Sequence, residues 1–214
     1  MTSDTDTARI AEIFRRFDAA EPDPKTELAY KNPYTLVVAV ALSAQATDVS
    51  VNKATKALFE LADTPKAMLD LGIERLTDMI KTIGLYRNKA KNVIALSQIL
   101  VDQYGGEVPL IRAALESLPG VGRKTASVVL NELGVEPAIA VDTHVFRVAH
   151  RLGLSQASTP DSVEKDLMRI TPEPLRTRAH HWLILHGRYV CVARKPKCGQ
   201  CPIAELCPSR EPGL

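Results

Sequence analysis

Lys124 lies just beyond two glycines and a proline, in the stretch Leu118-Pro119-Gly120-Val121-Gly122-Arg123-Lys124-Thr125. Pro119, Gly120 and Gly122 fit poorly inside a helix, whereas Thr125 to Leu133 is a good helical run with Val128, Val129 and Leu133 on one side. The pattern predicts helix, tight hairpin, helix, with Lys124 in the first turn of the second helix. Bare N–H groups in the bend and the positive end of that helix could together hold a phosphate. The lysine has two possible roles: as an ammonium it grips phosphate, and as a free amine it attacks an electrophilic carbon. An unperturbed lysine titrates near ~10.4, so useful amine at neutral pH requires favouring the neutral form by roughly 3–4 kcal/mol. A helix dipole supplies only about 0.3–1 kcal/mol. Arg123 adds to it, and desolvation in a closed pocket has to supply most of the rest.

Four cysteines, Cys191, Cys198, Cys201 and Cys207, are separated by six, two and five residues. In a reducing compartment such a cluster is a metal site before it is a disulfide framework. Four thiolates on one loop can hold tetrahedral zinc or a [4Fe–4S] cluster, and the uneven spacing, without two C-x2-C pairs, favours the cluster. Arg188, Arg194, Lys195 and Lys197 crowd the same segment, which is either a phosphate-contacting loop or a solvated basic one. Asp142, at a helix start, is either an N-cap or a proton shuttle. Beside a lysine its carboxylate stabilises the ammonium, so its useful role is base or water activator. Gln45 ends an apolar helix and Leu85 sits in a polar turn, so both can project as a hydrogen-bonding group and a wedge. His144, His180, His181 and His186 show no ligand pattern and are expected to pack or hydrogen-bond.

Helices are expected to position these groups. Ile10, Ile13, Phe14 and Phe17 mark a first amphipathic helix ending before Glu21-Pro22-Asp23-Pro24, which reads as a linker. Asn32-Pro33 starts a helix that is apolar almost all round from Leu36 to Ala44. Asp48 is expected to cap a helix from Val49 to Leu61, and Thr64-Pro65 to open a short one. Glu74 to Ile83 reads as a helix closed by Gly84, with Leu85 to Lys89 as a short polar turn. A long helix then runs to Tyr104 before Gly105-Gly106, and Arg112 to Ser117 leads into the hairpin. Further helices are expected around Val145 to Leu152, from Thr159-Pro160, and from Leu175 to Val190. No sustained alternation predicts a strand, so the fold class is all-α, without internal repeats.

The 214 residues suffice for one domain or two small ones. With 45% hydrophobic and 24% charged residues the chain is globular rather than disordered. A net charge of +2 means that any nucleic-acid contact comes from local basic patches. The polar start, Met1 to Asp6, lacks the apolar core of a secretory signal, and no segment reads as membrane-spanning, so a cytoplasmic protein is expected.

Together, the Leu118 to Thr125 hairpin, Val141-Asp142-Thr143-His144, the run Ala41 to Asp48 and the cysteine spacing closely resemble the endonuclease III family of helix-hairpin-helix DNA glycosylases. The resemblance spans nearly the whole chain. It implies two helical lobes with a DNA-binding cleft between them: a six-helix barrel at residues 26–136 ending in the hairpin, and residues 1–25 with 137–214 carrying a [4Fe–4S] loop. It implies excision of oxidised pyrimidines from duplex DNA, then lyase cleavage of the abasic strand, by a protein that is nucleoid-associated and monomeric. On that resemblance Lys124 is the nucleophile and Asp142 its partner carboxylate, and the four cysteines are the cluster ligands. Gly120, Val121, Gly122, Arg123 and Thr125 bind DNA through the hairpin. Gln45 and Leu85 enter the gap left by the flipped nucleotide, and Arg194, Lys195 and Lys197 contact DNA from the cluster loop.

Two rival readings remain. A monofunctional adenine glycosylase resembles the chain in hairpin and cluster but uses a glutamate on the helix before the glutamine, where this chain has Val38, Ala39 and Val40, and lacks the hairpin lysine. A non-catalytic DNA-binding or redox-sensing iron–sulfur protein needs neither Lys124 nor Asp142.

Overall fold

The computed structural model describes residues 4–210, and among them there are helices and no strand. In chain order the α-helices are α1 (Asp4–Ala20), α2 (Pro33–Ser43), α3 (Asp48–Leu61), α4 (Pro65–Leu71), α5 (Ile73–Met79) and α6 (Tyr86–Tyr104). They continue with α7 (Arg112–Glu116), α8 (Arg123–Glu132), α9 (Thr143–Arg151), α10 (Pro160–Ile170) and α11 (Arg176–Tyr189). Short 3₁₀ turns cover Glu173–Leu175, Cys198–Gln200 and Ala204–Leu206. The chain forms two compact units, Thr26–Val135 on the one hand and the residues up to Lys25 with those from Glu136 on the other. Glu136 therefore sits with the helices that follow it.

The Thr26–Val135 unit is built around α2. Asn32 caps its N-terminus through a capping box with Thr35, Pro33 sits in the first turn, and Tyr34 to Leu42 are all buried. Each large aliphatic side chain so buried contributes roughly 1.5–3 kcal/mol. The phenol of buried Tyr34 bonds to Ser97 of α6 at 2.6 Å, and burial pushes its pKa up. Helices α3, α6 and α8 pack against α2.

Three local expectations shift in the structure. Thr47, not Asp48, caps α3, its Oγ1 accepting from the Ser50 N–H at 3.2 Å. Asp48 becomes a first-turn residue, where a carboxylate suits the helix dipole. Helix α5 ends at Met79 rather than Ile83 because the chain tightens into bonds such as Ile83 N–H to Ile80 O at 2.9 Å. That turn buries both isoleucines. The expected polar turn from Leu85 to Lys89 is instead the start of α6, with only Leu85 forming the bend. Lys89 N–H already bonds to Leu85 O at 3.1 Å, and Lys89 and Ala90 face inward.

The other unit packs Ile13, Phe14 and Phe17 of α1 with Val145, Val148 and Ala149 of α9 and Ala179, Trp182 and Leu183 of α11. His180, His181 and His186 are buried, as expected of packing residues. His186 meets the Phe17 ring edge-on at 5.2 Å, and burial takes its pKa down to about 4, so it is neutral at pH 7. Among the described residues no helix is long and apolar enough to cross a membrane.

Helices α9 and α11 touch at Gly187, where an added Cβ would stand 2.9 Å from His144 Cβ and 3.1 Å from Val148 Cγ2. Gly187→Ala is expected to lower stability by about 1–3 kcal/mol, the usual effect of overpacking. Thermal unfolding checks this against Gly199→Ala, whose new Cβ meets nothing within 4 Å and which should melt like the parent.

Candidate nucleic-acid interface and metal centre

The hairpin between α7 and α8 is fixed from the inside. Leu115, Leu118, Val121 and Ala126 are buried in the core of their unit, and Val121 N–H bonds to Leu118 O at 3.0 Å. Val121, expected in the DNA-contacting set, is thus buried at the base of the bend. Its side chain and its N–H both hold the bend, leaving neither to face a ligand.

Gly120 turns the chain at φ +80°, a left-handed conformation that only glycine adopts freely. An added Cβ there would also lie 3.0 Å from Asn92 Cβ and Nδ2 on α6, so the bend docks closely on that helix. Gly122 is the N-cap of α8 and has no side chain with which to cap it. The start of α8 thus keeps its positive dipole end and uncapped amides available to an anion. Arg123 and Lys124 stand in that first turn, both exposed, with Thr125 half-buried.

Exposure of Lys124 departs from the closed pocket expected for it.

Gln45 and Leu85 are both exposed, Leu85 at 59% of its surface. Both have left-handed backbones, at φ +54° and +59°. Among the described residues the only other non-glycine with positive φ is Lys195, at +54°. All three were singled out from the sequence as DNA-contacting. Left-handed geometry costs a residue with a Cβ roughly 1–2 kcal/mol, and such strain tends to collect at functional sites. Gln45, Leu85 and Gly120 line one open cavity, together with Asn88, Lys89 and Asn92.

Asp142 sits in the other compact unit. Its Oδ1 accepts from the N–H groups of His144 and Val145, both at 2.8 Å, so it is the N-cap of α9. Such a cap is worth about 1 kcal/mol. It occupies Oδ1 and does not need Oδ2, so the capping and catalytic roles are compatible.

The four cysteines are free thiols lining a second, small cavity, with His186 also in its wall. Among the described residues no three potential ligands gather on a single ion. The thiols line a volume rather than meet at a point, which suits a cluster held by one thiolate at each corner. Burial pushes the Cys201 and Cys207 thiols up, with the neighbouring thiols adding to the effect. Thiols placed together resist ionising, and a metal centre reverses that preference.

What holds this loop was not legible as spacing. Arg151 of α9 donates to Val192 O at 2.8 Å, Ala193 O at 2.9 Å and Cys191 Sγ at 3.5 Å. Arg147 donates to Cys191 O at 3.1 Å and Gly187 O at 2.8 Å. Arg9 reaches Leu206 O at 3.1 Å, and Arg16 pairs with Glu205. The one usable signal is that Arg147 and Arg151 recur at four-residue spacing on one helix face. The loop leaves Arg194, Lys195 and Lys197 exposed.

Residues 38–173 match the HhH-GPD superfamily of base excision DNA repair proteins. Residues 191–207 match the iron-sulfur binding domain of endonuclease III. The chain is 59% identical over 198 residues to endonuclease III of Rickettsia conorii, across 92% of this chain and 94% of the relative. Against endonuclease III of Escherichia coli it is 54% identical over 204 residues, across 95% and 97%. Among solved structures, a trapped endonuclease III–DNA covalent intermediate matches with a TM-score of 0.88 and 45% identity, across 98% of this chain and 97% of that one. A thermostable thymine-DNA glycosylase matches with a TM-score of 0.85 at 23% identity, a likeness of fold alone.

Anaerobically purified protein is expected to be brown and to contain iron and sulfide in equal amounts; zinc alone would overturn the cluster assignment. Arg151→Met should lower iron content and visible absorbance by unfastening the loop, whereas Lys195→Met should retain both.

Proposed function

Since the chain belongs to the endonuclease III family of HhH-GPD base excision DNA repair proteins, we propose that Lys124 and Asp142 perform glycosylase and abasic-site lyase chemistry on duplex DNA carrying oxidised pyrimidines. The observation that carries this residue assignment is the placement of Lys124, exposed in the first turn of α8 immediately after the glycine N-cap. A phosphate held at the start of α8 brings the deoxyribose within the lysine's reach. Contact with the bound DNA removes water from around the amine.

The neutral amine attacks C1′ of the damaged nucleotide, and the glycosidic bond breaks with its electron pair leaving on the base. Ring opening gives a cationic imine. The positive charge acidifies the C2′ proton, a general base removes it, and the 3′ phosphate leaves by β-elimination. Water as nucleophile forms no imine, so a lysine nucleophile couples base release to strand cleavage. Asp142, held by its cap, is the carboxylate assigned to proton transfer, with Oδ2 as the reacting oxygen.

Gln45 and Leu85 fill the space vacated by the extruded nucleotide, their left-handed bends presenting them outward. Arg194, Lys195 and Lys197 add phosphate contacts from the cysteine loop. Cys191, Cys198, Cys201 and Cys207 would hold the [4Fe–4S] cluster, which when bound cross-links that loop and keeps its basic side chains in place. The setting is a monomer acting on chromosomal DNA in the cytoplasm, in association with the nucleoid.

Borohydride is expected to trap the protein covalently on abasic duplex DNA. Lys124→Ala should reduce trapping to background while retaining DNA affinity and thermal stability; undiminished trapping would overturn the nucleophile. Asp142→Asn preserves a carbonyl oxygen for the cap, so its melting should stay within about 1 kcal/mol of the parent. Its single-turnover rate should fall by about 10²–10⁴. An unchanged rate would reduce Asp142 to a helix cap.

A further inference from the structure

Lys89 of α6 is the least expected residue around the Gln45 cavity. The side chain is 7% exposed, and its Nζ is buried without a hydrogen-bond partner. Buried ammonium groups are normally paired, because an unpaired charge removed from water is strongly destabilised. Among the described residues no carboxylate lines this cavity. Its lining combines apolar Ala41, Leu42, Ala44 and Val93 with the carboxamides of Gln45, Asn88 and Asn92. The cavity is open to solvent and has a volume of about 170 Å³. An apolar recess with one strong donor and a few carboxamides is the usual composition of a ligand subsite.

Three surrounding features tie this recess to the proposed interface. Gln45 and Leu85, the two strained and exposed residues, line it, as does Gly120 of the hairpin. Lys89 lies four residues after Leu85, and its own N–H holds Leu85 O at 3.1 Å, so backbone and side chain of one residue serve the same bend. The flexible four-carbon stem allows Nζ to turn from the cavity wall toward an incoming group.

We propose that this cavity is an additional DNA subsite, in which an acceptor atom of the bound duplex enters between Gln45, Leu85 and Gly120 and is hydrogen-bonded by the Lys89 ammonium. The proposal rests on the DNA-repair reading above and adds a residue to it. An acceptor of this kind is either a phosphodiester oxygen or a base-edge oxygen or nitrogen. Burial also lowers the pKa of Lys89, so the free protein holds the charge at a disadvantage that a DNA acceptor relieves.

The test uses the cluster-loaded full chain and duplexes with a reduced abasic-site analogue opposite each of the four bases. Affinity is measured across a salt series. Lys89→Met, which keeps the volume and removes the charge, is expected to weaken binding by about tenfold. It should melt at the same temperature as the parent or higher, since it removes an unpaired buried ammonium. If the partner is a phosphate, the loss is uniform across the four duplexes and the salt slope falls by about one. If it is a base edge, the loss depends on the opposing base and the slope is unchanged.

Unchanged affinity at every salt concentration overturns the subsite. So does failure of both Lys89→Met and Lys89→Gln to fold, because a lysine needed for folding is a structural one. Borohydride trapping of the unmutated protein is run alongside. Its failure would indict the enzymatic reading, whereas normal trapping with unaltered Lys89→Met affinity removes only this subsite.

Discussion

The bend at Gly120 approaches α6 so closely that an added Cβ would stand 3.0 Å from Asn92, and its backbone is left-handed as well. Two independent requirements therefore meet at one position, and glycine alone satisfies both. From that docked bend the rest of the Thr26–Val135 unit's site follows. Leu118 and Val121 anchor the hairpin in the core, Gly122 starts α8 without a side-chain cap, and Lys124 emerges in the first turn. The same approach of the hairpin to α6 brings Gly120 to the cavity that Gln45, Leu85 and Lys89 share. Moving the bend by even one atom's width would disturb both features together, since packed interiors do not deform gradually.

Strain is distributed with an equally clear pattern. Gln45, Leu85 and Lys195 are the described non-glycine residues with left-handed backbones, and each is exposed. The stabilisation that tolerates them comes from elsewhere: the wholly buried α2 beside Gln45, the long α6 after Leu85, and the arginine-fastened loop around Lys195. Rigid scaffold and strained tip belong together, because a strained backbone persists only where its surroundings hold it.

Charge is handled locally. With a net charge of +2 the chain has little global field, and its cations do two different jobs. Arg147 and Arg151 turn inward to carbonyl oxygens and hold the cysteine loop, while Arg194, Lys195 and Lys197 remain exposed. Fork-shaped guanidinium groups suit the first task because one side chain can satisfy several carbonyls at fixed angles. Lys89 belongs to neither group, and its burial without a partner sets it apart.

By itself the sequence determined the helical class, most helix starts, the hairpin with its lysine, and the four thiols. Each of these is written in local chemistry: prolines and capping residues, glycines at a bend, apolar spacing, cysteine intervals. Local chemistry was less able to decide between adjacent caps, as at Thr47 and Asp48, or to place the end of α5, where burial of Ile80 and Ile83 overrode the helical pattern. Tertiary structure alone decided that Val121 faces the core, that Lys124 is exposed, that Arg147 and Arg151 fasten a loop some forty residues away, and that Lys89 lies buried beside Gln45. The physical reason is that exposure, desolvation and hydrogen-bond partnership are properties of what surrounds a side chain, and those surroundings come from distant parts of the chain that no local spacing records.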